Sequence, residues 1–399
     1  MGNSIDYVMK KFREYYINSK ISLPVRFTQR EFGFMFFNTE GMIRHLKFHD
    51  EKELREFIVK NIPSHSYYST AYYRYPDKER MDEKGWMGAD LIFDLDADHI
   101  TEGRNLTYEE MLEEVKRETK KLIYDFLISD FGINKNDIRL VFSGGRGYHI
   151  HIRNEKVVKL NSDARREIVS YITGNNMRFD FFVEESIKNE KLFDEDYGGW
   201  YKKFTDQTKH VAIIIRDYLD SNDFETVENI MKNSGIKYRK RLINALLQEK
   251  PIKLNGKNNS RVIDLLSELN NTKWINLIGN NELIYDFLNL VKYFVSVNVV
   301  GKTDEPVTKD IHRLIRLPGT LHGKTGLKVT EVELEKLDDF DPLNDSVIKE
   351  FMKKDIKVII KKKFSINFSG QKYNFNEGED VMPESLAIFA ILRNFAEIM

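Results

Sequence analysis

The sequence predicts an α/β protein of the α+β type, in which a mixed, mostly antiparallel sheet is interrupted by a mainly helical insertion. Strand-like alternation of apolar residues is concentrated before residue 153 and returns after residue 294. Polar, Lys- and Asn-rich runs with helical spacing fill the middle. We therefore expect residues 1–153 and 294–370 to form one core domain, residues 154–293 a helical insertion, and residues 371–399 a helical C-terminal tail.

Local patterns predict the elements of the first half. They indicate a β-hairpin, a strand, a long helix and two further strands, at residues 30–48, 89–96, 107–128, 139–143 and 148–153. The helix has the clearest signal, because Thr107 and Glu110 fit a capping box and an apolar stripe follows.

The second half begins with the helical insertion, in which a helix is expected to start at Ser162. Strand patterns then return at residues 293–300, 327–332 and 356–368. The last predicted element is a helix over residues 383–399, with Pro383 in its first turn.

Composition restricts the classes of site. The 399 residues include 62 Lys and Arg against 63 Asp and Glu, a net charge of -1, so nucleic-acid binding would need local basic patches. Cysteine is absent, which excludes disulfides, thiolate zinc sites and a cysteine nucleophile. A metal site must therefore use Asp, Glu, His or backbone oxygen, so we expect Mg²⁺ or Mn²⁺ and no zinc.

Nothing in the sequence predicts membrane contact. No stretch approaches the ~20 apolar residues that a spanning helix needs. The first residues, MGNSIDYVMKKFREYY, lack the apolar region of a secretory signal. We therefore expect an intracellular, cytoplasmic protein.

The first candidate site is a pair of carboxylates on a predicted strand. Asp94 and Asp96 are two residues apart in the run LIFDLDAD, so both project from the same face of the strand. Two carboxylates at this spacing repel each other, and a divalent cation removes that penalty. This acidic pair indicates a metal site, although a strand that runs into an acidic loop has the same pattern.

The second candidate site is the segment SGGRGYHIH at residues 143–151, between two predicted strands. Its three glycines allow backbone N–H groups to approach a phosphate chain. Ser143 and Arg146 can donate to phosphate oxygens, and His149 shares a strand face with His151. The segment itself contains no GK[ST], and a strand stands where Walker and dinucleotide motifs have a helix. The segment favours a phosphate-binding turn over a plain hairpin.

The third candidate site is DEPVTKDIHRLIRLPGTLHGKTG at residues 304–326. It begins with a carboxylate, Asp304, and continues with side chains that can carry positive charge, namely Arg313, Arg316, His322 and Lys324. A triphosphate needs several cationic donors from more than one direction. The two arginines would share a face if the segment were helical. Taken alone, the segment is more typical of a solvated basic helix followed by a turn.

Together, the three segments resemble the small subunit of archaeo-eukaryotic DNA primases. That family has an acidic pair ending a strand, an SGGRGxHxH turn and a DxPVTxDxxRLIRxPxxxHxxTG segment. This chain has FDLDAD, SGGRGYHIH and DEPVTKDIHRLIRLPGTLHGKTG in the same order. The resemblance is close over residues 10–153 and 295–335 and loose elsewhere. One departure is the zinc knuckle of most relatives, which this chain cannot form because it has no cysteine.

The resemblance implies roles for individual residues. Asp94, Asp96 and Asp304 would be the catalytic triad and would bind two Mg²⁺ or Mn²⁺ ions. The side chains that would hold the triphosphate of the incoming nucleotide are Ser143, Arg146, His149, Arg316 and His322. Further candidate contacts to the nucleotide or initiation site are Glu31, Arg44 and Arg74. Residues 1–153 and 294–370 would form the catalytic core.

The resemblance also implies an activity and partners. The activity is that of a catalytic primase subunit, a nucleotidyltransferase that makes short RNA, or also DNA, primers on a DNA template for replication. The implied partners are the primase large subunit in a heterodimer, a single-stranded DNA template, and ribonucleoside or deoxyribonucleoside triphosphates. The protein would then be associated with the nucleoid during replication.

Three alternatives stay open from sequence. One is a primase-like repair polymerase that only extends existing ends. Another is an inactive, RRM-like nucleic-acid-binding module, which the three carboxylates disfavour. The last is a metal-dependent phosphohydrolase, which the cationic cluster disfavours because that cluster suits a triphosphate.

Overall fold

The computed structural model describes residues 2–100, 105–175, 177–188, 198–268 and 272–399. The chain divides into two compact units, one of residues 1–169 with 302–399 and the other of residues 170–301. The insertion was expected at residues 154–293, so both boundaries of the smaller unit lie further along the chain than expected. Parts of the predicted insertion, at residues 176, 189–197 and 269–271, lie outside the described residues.

The chain forms helices and short strands in alternation. The helices are α1 (Gly2–Asn18), α2 (Glu51–Asn61), α3 (Ala97–Ile100), α4 (Tyr108–Lys121), α5 (Glu155–Val158), α6 (Ser162–Thr173), α7 (Phe179–Lys188), α8 (Gly199–Asp220), α9 (Phe224–Asn233), α10 (Arg239–Leu247), α11 (Val262–Glu268), α12 (Asn281–Phe294), α13 (Glu305–Lys309), α14 (Pro342–Asp345) and α15 (Glu384–Leu392). Within the described residues, none of these helices has the length and apolar character that a membrane span requires.

The strands are β1 (Phe32–Phe36), β2 (Ile43–Leu46), β3 (Pro63–Ser69), β4 (Ala71–Tyr73), β5 (Trp86–Ala89), β6 (Leu91–Asp96), β7 (Ile138–Phe142), β8 (Gly147–Ile152), β9 (Glu249–Lys250), β10 (Ser260–Arg261), β11 (Leu314–Arg316), β12 (Thr330–Val332), β13 (Asp355–Ile360), β14 (Phe364–Phe368), β15 (Gln371–Phe375), β16 (Gly378–Pro383) and β17 (Ala396–Ile398). Two four-stranded antiparallel sheets dominate the larger unit, in the orders β11-β3-β1-β2 and β12-β7-β8-β6. The predicted α/β class is confirmed. The predicted hairpin is β1 and β2, and the three predicted strands around the acidic pair and the glycine-rich segment are β6, β7 and β8.

Helix α4 begins as its sequence indicates. The Thr107 side chain accepts from the backbone N–H of Glu110, and the Glu110 carboxylate accepts from the backbone N–H of Thr107, which completes the capping box. The chain continues beyond α4 as a π-helical segment over Leu122–Ile128. The apolar face that α4 and this segment share, which includes Val115 and Phe126, is buried.

The smaller unit is helical, with α8, α11 and α12 at its centre. Its core includes the fully buried side chains of Val211, Leu265 and Phe287. The prediction of a strand at residues 293–300 is wrong, because α12 is followed by a π-helical segment over Val295–Val299. The buried positions of α12 recur every three or four residues up to Val295, and that spacing continues a helix face.

The prediction of a helical C-terminal tail over residues 371–399 is also wrong. Only α15 is helical, and the rest of the tail contributes strands β15, β16 and β17. Strand β13 pairs with β16 on one edge and with β17 on the other, so these two strands of the tail form a three-stranded sheet with it. Helix α15 is buried on every side between these strands and the rest of the larger unit.

A buried carboxylate anchors the start of β6. The Oδ2 atom of Asp90 accepts from Arg30 at 3.0 Å and from Arg153 at 3.1 Å, and the hydroxyl of Tyr72 donates to Oδ1. Burial alone would raise the pKa of Asp90, but the His151 ring and the two guanidinium groups outweigh it and hold that pKa well below its usual range. Asp90 is therefore a buried anion that is matched by cations.

The same network joins separate strands. Arg30 also donates to the carbonyl oxygens of Ser69, the last residue of β3, and Thr70, at 2.8 and 2.6 Å. Arg165, at the start of α6, donates to the carbonyl of Asp90 at 2.9 Å. These contacts tie one four-stranded sheet to Asp90, the residue before β6, and they explain why residues 154–169 belong to the larger unit.

We predict that Asp90→Asn lowers the free energy of unfolding by about 3–5 kcal/mol, because it leaves buried arginines without a charged partner. Denaturant unfolding at neutral pH measures this change. The difference in free energy of unfolding between wild type and variant should shrink below about pH 4. There the Asp90 carboxyl of the unfolded chain takes up a proton while the native one stays ionised, and this favours unfolding of the wild type.

The matched control is Asp82→Asn. This change breaks an ion pair with Arg80 in which both side chains are mostly exposed, so it should cost less than about 1 kcal/mol. Equal effects of the two substitutions would contradict an anchoring role for Asp90.

Candidate active site

The pairing of β6 with β8 determines where the acidic pair lies. Asp94 is opposite His149, and Asp96 is opposite Gly147. A Cβ atom on Gly147 would lie 2.5 Å from the carbonyl oxygen of Leu95, so only glycine permits this close approach. The acidic pair and the glycine-rich turn are therefore held at the same end of one sheet.

The turn at residues 143–147, called here the glycine turn, is organised by Ser143. Its hydroxyl oxygen accepts from the backbone N–H groups of Gly145 and Gly147, at 3.3 and 3.2 Å. Gly144 has a φ of 78°, and a Cβ there would lie 2.8 Å from the Cβ of His322. The glycines thus let a second segment, the one that contains His322, pack against the turn.

The three predicted segments meet at one cavity of about 480 Å³. The predicted site residues that line it are Asp94, Asp96, Ser143, Arg146, His149, Arg316 and His322. Asp304 does not line this cavity, but its backbone N–H donates to the carbonyl of Asp94 at 3.0 Å. Asp304 therefore lies immediately beside the acidic strand.

Charged groups at the cavity wall contact one another. An Nη atom of Arg146 lies 2.6 Å from the Asp98 carboxylate, and the backbone N–H of Asp98 donates to Asp96 at 3.0 Å. The Nε2 atom of His149 lies 3.6 Å from Oδ1 of Asp94. Burial, aided by the positive charge of Arg316, keeps the pKa of His149 well below its usual range, so the ring is neutral.

Arg316 is held between an aromatic ring and two imidazoles. Its guanidinium lies 4.7 Å from the centre of the Tyr67 ring, donates to Nδ1 of His65, and lies 3.2 Å from Nε2 of His322. Burial lowers the pKa of His65 to about 3 and that of His322 well below its usual range. Both rings are therefore neutral and can accept from the arginine.

The segment around Arg316 is not helical. Helix α13 ends at Lys309, and Leu314–Arg316 forms β11, which pairs with β3. Ile315 is buried while Leu314 and Arg316 are half-buried, which is the alternation of a strand. Arg313 and Arg316 nevertheless line the same cavity.

The acidic residues do not form a complete metal cage by themselves. Within the part of the chain that the structure describes, no group of three or more His, Cys, Asp or Glu side chains is arranged to hold a metal ion. Asp94 and Asp96 are only half-buried, so their carboxylates are accessible from the cavity. They offer hard oxygen donors, the kind that Mg²⁺ and Mn²⁺ prefer.

The remaining three predicted residues are Glu31, Arg44 and Arg74, and they are not among the residues that line this cavity. Glu31 is fully buried, accepts from Arg44 Nε at 3.0 Å, and has its second carboxylate oxygen 3.3 Å from Nζ of buried Lys84. Arg74 is exposed beyond the end of β4. None of these side chains lines the cavity with the acidic pair.

The structure adds residues that sequence reasoning did not select. His65 and Tyr67 are two residues apart on β3, so they share a face, and that face meets Arg316 through the β3–β11 pairing. Arg393, directly after α15, also lines the cavity. A strand prediction at residues 63–69 would have placed His65 and Tyr67 on one face and suggested them as a pair. No motif around Arg393 in the sequence indicates that it belongs to the site.

A cavity that combines two strand carboxylates with arginines, histidines and a glycine turn defines a class of protein that binds a phosphate-bearing ligand. A family model described as DNA primase small subunit matches residues 93–334. The chain is 38% identical to the DNA primase small subunit PriS of Methanothrix thermoacetophila over 409 residues, which covers 98% of each chain. It is also 38% identical to that of Picrophilus torridus over 387 residues, which covers 97% of this chain and 96% of the relative.

The chain therefore belongs to the DNA primase small subunit family. Its activity is accordingly that of the catalytic primase subunit in DNA replication, which places it among the nucleotidyltransferases.

We predict that the His65 ring makes unfolding pH-dependent. Its native pKa of about 3 is below the value of about 6.5 in an unfolded chain, so protonation of the unfolded state removes stability as the pH falls from 6.5 towards 3. The loss should reach about 1.4 kcal/mol per pH unit. His65→Gln should lack this component, so the pH dependence of its free energy of unfolding should be shallower.

The comparison uses denaturant unfolding of wild type and variant at several pH values. His49→Gln, which removes a mostly exposed ring, controls for the loss of a histidine at the surface. Parallel curves for wild type and His65→Gln would contradict a buried, neutral His65.

Proposed function

We propose that this chain starts new strands on single-stranded DNA by joining nucleoside triphosphates, with Asp94, Asp96 and Asp304 as the metal-binding carboxylates. The observation that carries this proposal is that the acidic pair shares one cavity with the glycine turn and Arg316. Such a cavity can hold the reacting 3′-hydroxyl near the carboxylates, while its cationic wall, formed by Arg146 and Arg316, holds the triphosphate.

The carboxylates fit Mg²⁺ or Mn²⁺ in the presence of a nucleotide. Mg²⁺ is usually held by one or two carboxylates together with substrate phosphates and water. The acidic pair can therefore supply the protein ligands of such an ion, and the nucleotide and water supply the others. Asp304 would complete the site from the adjacent segment, where its backbone is already bonded to that of Asp94. When bound, two such ions activate the hydroxyl and neutralise charge on the departing pyrophosphate.

The chain's own side chains would position the nucleotide. Arg146 and Arg316 would donate to phosphate oxygens from two sides, because they come from separate segments of the cavity wall. Neutral His149 and His322 can each donate one N–H. Ser143 would hold the glycine turn in shape and could direct its hydroxyl hydrogen to a phosphate oxygen.

We further propose that the chain acts with a primase large subunit. Support comes from the relatives, which are named as small subunits. The nucleotides would be ribonucleotides, with deoxyribonucleotides as a second class, and the product a short primer. Template binding through phosphates should weaken as salt concentration rises.

We predict that Asp94→Asn/Asp96→Asn abolishes nucleotide incorporation on unprimed single-stranded DNA. The loss of transition-state stabilisation should be several kcal/mol, a decrease in rate of about a thousandfold or more. The assay measures incorporation with Mg²⁺ or Mn²⁺, with and without the large subunit. Asp163→Asn, which changes a mostly exposed carboxylate of α6, is the control and should retain the wild-type rate.

Full activity of the double variant would remove the acidic pair from the mechanism. Extension of primed ends without any synthesis on unprimed template would instead support the repair-polymerase alternative. Release of phosphate rather than pyrophosphate would indicate a phosphohydrolase.

A further inference from the structure

Arg393 reaches the cavity from a part of the chain beyond the family match. That match ends at residue 334, whereas Arg393 directly follows α15 near the C-terminus. Its side chain nevertheless lines the same cavity as Asp96 and Arg146. The C-terminal segment therefore contributes to the site and does not merely cover the core.

The Arg393 guanidinium is held by aromatic rings. It lies 4.7 Å from the centre of the Tyr108 ring, 5.6 Å from that of Phe389 and 5.8 Å from that of Phe395. Rings hold a guanidinium through its face and do not use its N–H donors, so Arg393 can line the cavity with donors that are not consumed by these contacts. Contact with three rings suits a binding group better than a mobile surface side chain.

Arg393 has no acidic partner among the described residues. The titratable groups that act on it are Tyr108 and Arg146, with no carboxylate among the described residues, and its buried Nε has no hydrogen-bond acceptor in the part of the chain that is described. A partly buried cation without a counter-ion is costly. Burial lowers the pKa of Arg393, Tyr108 partly opposes this effect, and the charge of Arg146 lowers the pKa further. An anion bound between the two arginines would relieve both effects.

Tyr108 connects Arg393 to the glycine turn. The Tyr108 hydroxyl donates to the carbonyl oxygen of Gly145 at 2.6 Å, and the same ring carries the Arg393 guanidinium. The arginine is thus fixed relative to the turn that bears Arg146. This position favours the nucleotide triphosphate over the backbone of a template as the source of the anion.

We propose that Arg393 is a phosphate ligand that binds the triphosphate of the incoming nucleotide together with Arg146. The assignment rests on the proposed function for its ligand, but the arginine pair and the aromatic support stand independently of it. A guanidinium fork can donate two parallel hydrogen bonds to one phosphate. The two arginines then hold the phosphate chain from the glycine turn and from the C-terminal segment.

The test compares Arg393→Ala and Arg393→Lys with wild type in the full-length protein. Arg117→Ala, which removes a mostly exposed arginine of α4, is the charge-matched control. Three quantities are measured for each protein: KM and kcat for the nucleotide in strand synthesis, the Kd of ATP without divalent cation, and the Kd of a single-stranded oligonucleotide. Thermal unfolding checks that each variant is folded, and Arg393→Gln replaces the alanine variant if that one is not.

Arg393→Ala should raise both the nucleotide KM and the Kd of ATP by about tenfold or more, since a charged hydrogen bond is lost. The lysine variant should lie between alanine and wild type, and oligonucleotide binding should stay within about twofold of wild type. Unchanged nucleotide affinity in folded variants would overturn the proposal. Weaker oligonucleotide binding with unchanged ATP binding would also overturn it, in favour of a template contact. If wild type makes no strands, the proposed function fails, but the ATP measurement still decides the role of Arg393.

Discussion

The antiparallel register between β6 and β8 is the constraint on which the site depends. Side chains alternate between the faces of a strand, so a slip of one residue would turn Asp94 and Asp96 into the core and Leu95 into the cavity. Phe93 and Leu95 are buried on the face opposite the acidic pair, and their burial opposes that slip. Gly147 adds a local restraint, because no other residue fits against the backbone of β6 at this point.

The two ends of β6 have opposite electrostatic surroundings. At its start, buried Asp90 is matched by Arg30 and Arg153, and it needs no ligand. At its end, the acidic pair faces the cavity beside Arg146 and Arg316 without a comparable buried network. The first arrangement stabilises the fold, and the second places half-buried carboxylates and cations around a cavity that a charged ligand can enter. Asp90, Asp94 and Asp96 are separated by even numbers of residues. The alternation of side chains along the strand therefore does not distinguish the buried structural carboxylate from the acidic pair.

Sequence reasoning succeeded where the signal was local. The capping box of α4, the strand β6 and the glycine turn each depend on residues within a few positions of one another. It failed where partners distant in sequence decide the outcome. Residues of the tail form strands because they pair with β13, and residues 295–299 continue from α12, whose apolar side is buried in the smaller unit up to Val295. Arg393 belongs to the same category, because only the folded chain brings it to the glycine turn.

The central claim is that the acidic pair and the cationic wall form one nucleotide site. Its most direct test is a crystal structure with Mn²⁺ and a nonhydrolysable nucleoside triphosphate, in which anomalous scattering locates the metal. The account predicts Mn²⁺ within about 2.5 Å of carboxylate oxygens of Asp94 and Asp96, with the triphosphate against Arg146 and Arg316. A metal and nucleotide bound elsewhere, with the acidic pair free of both, would contradict it.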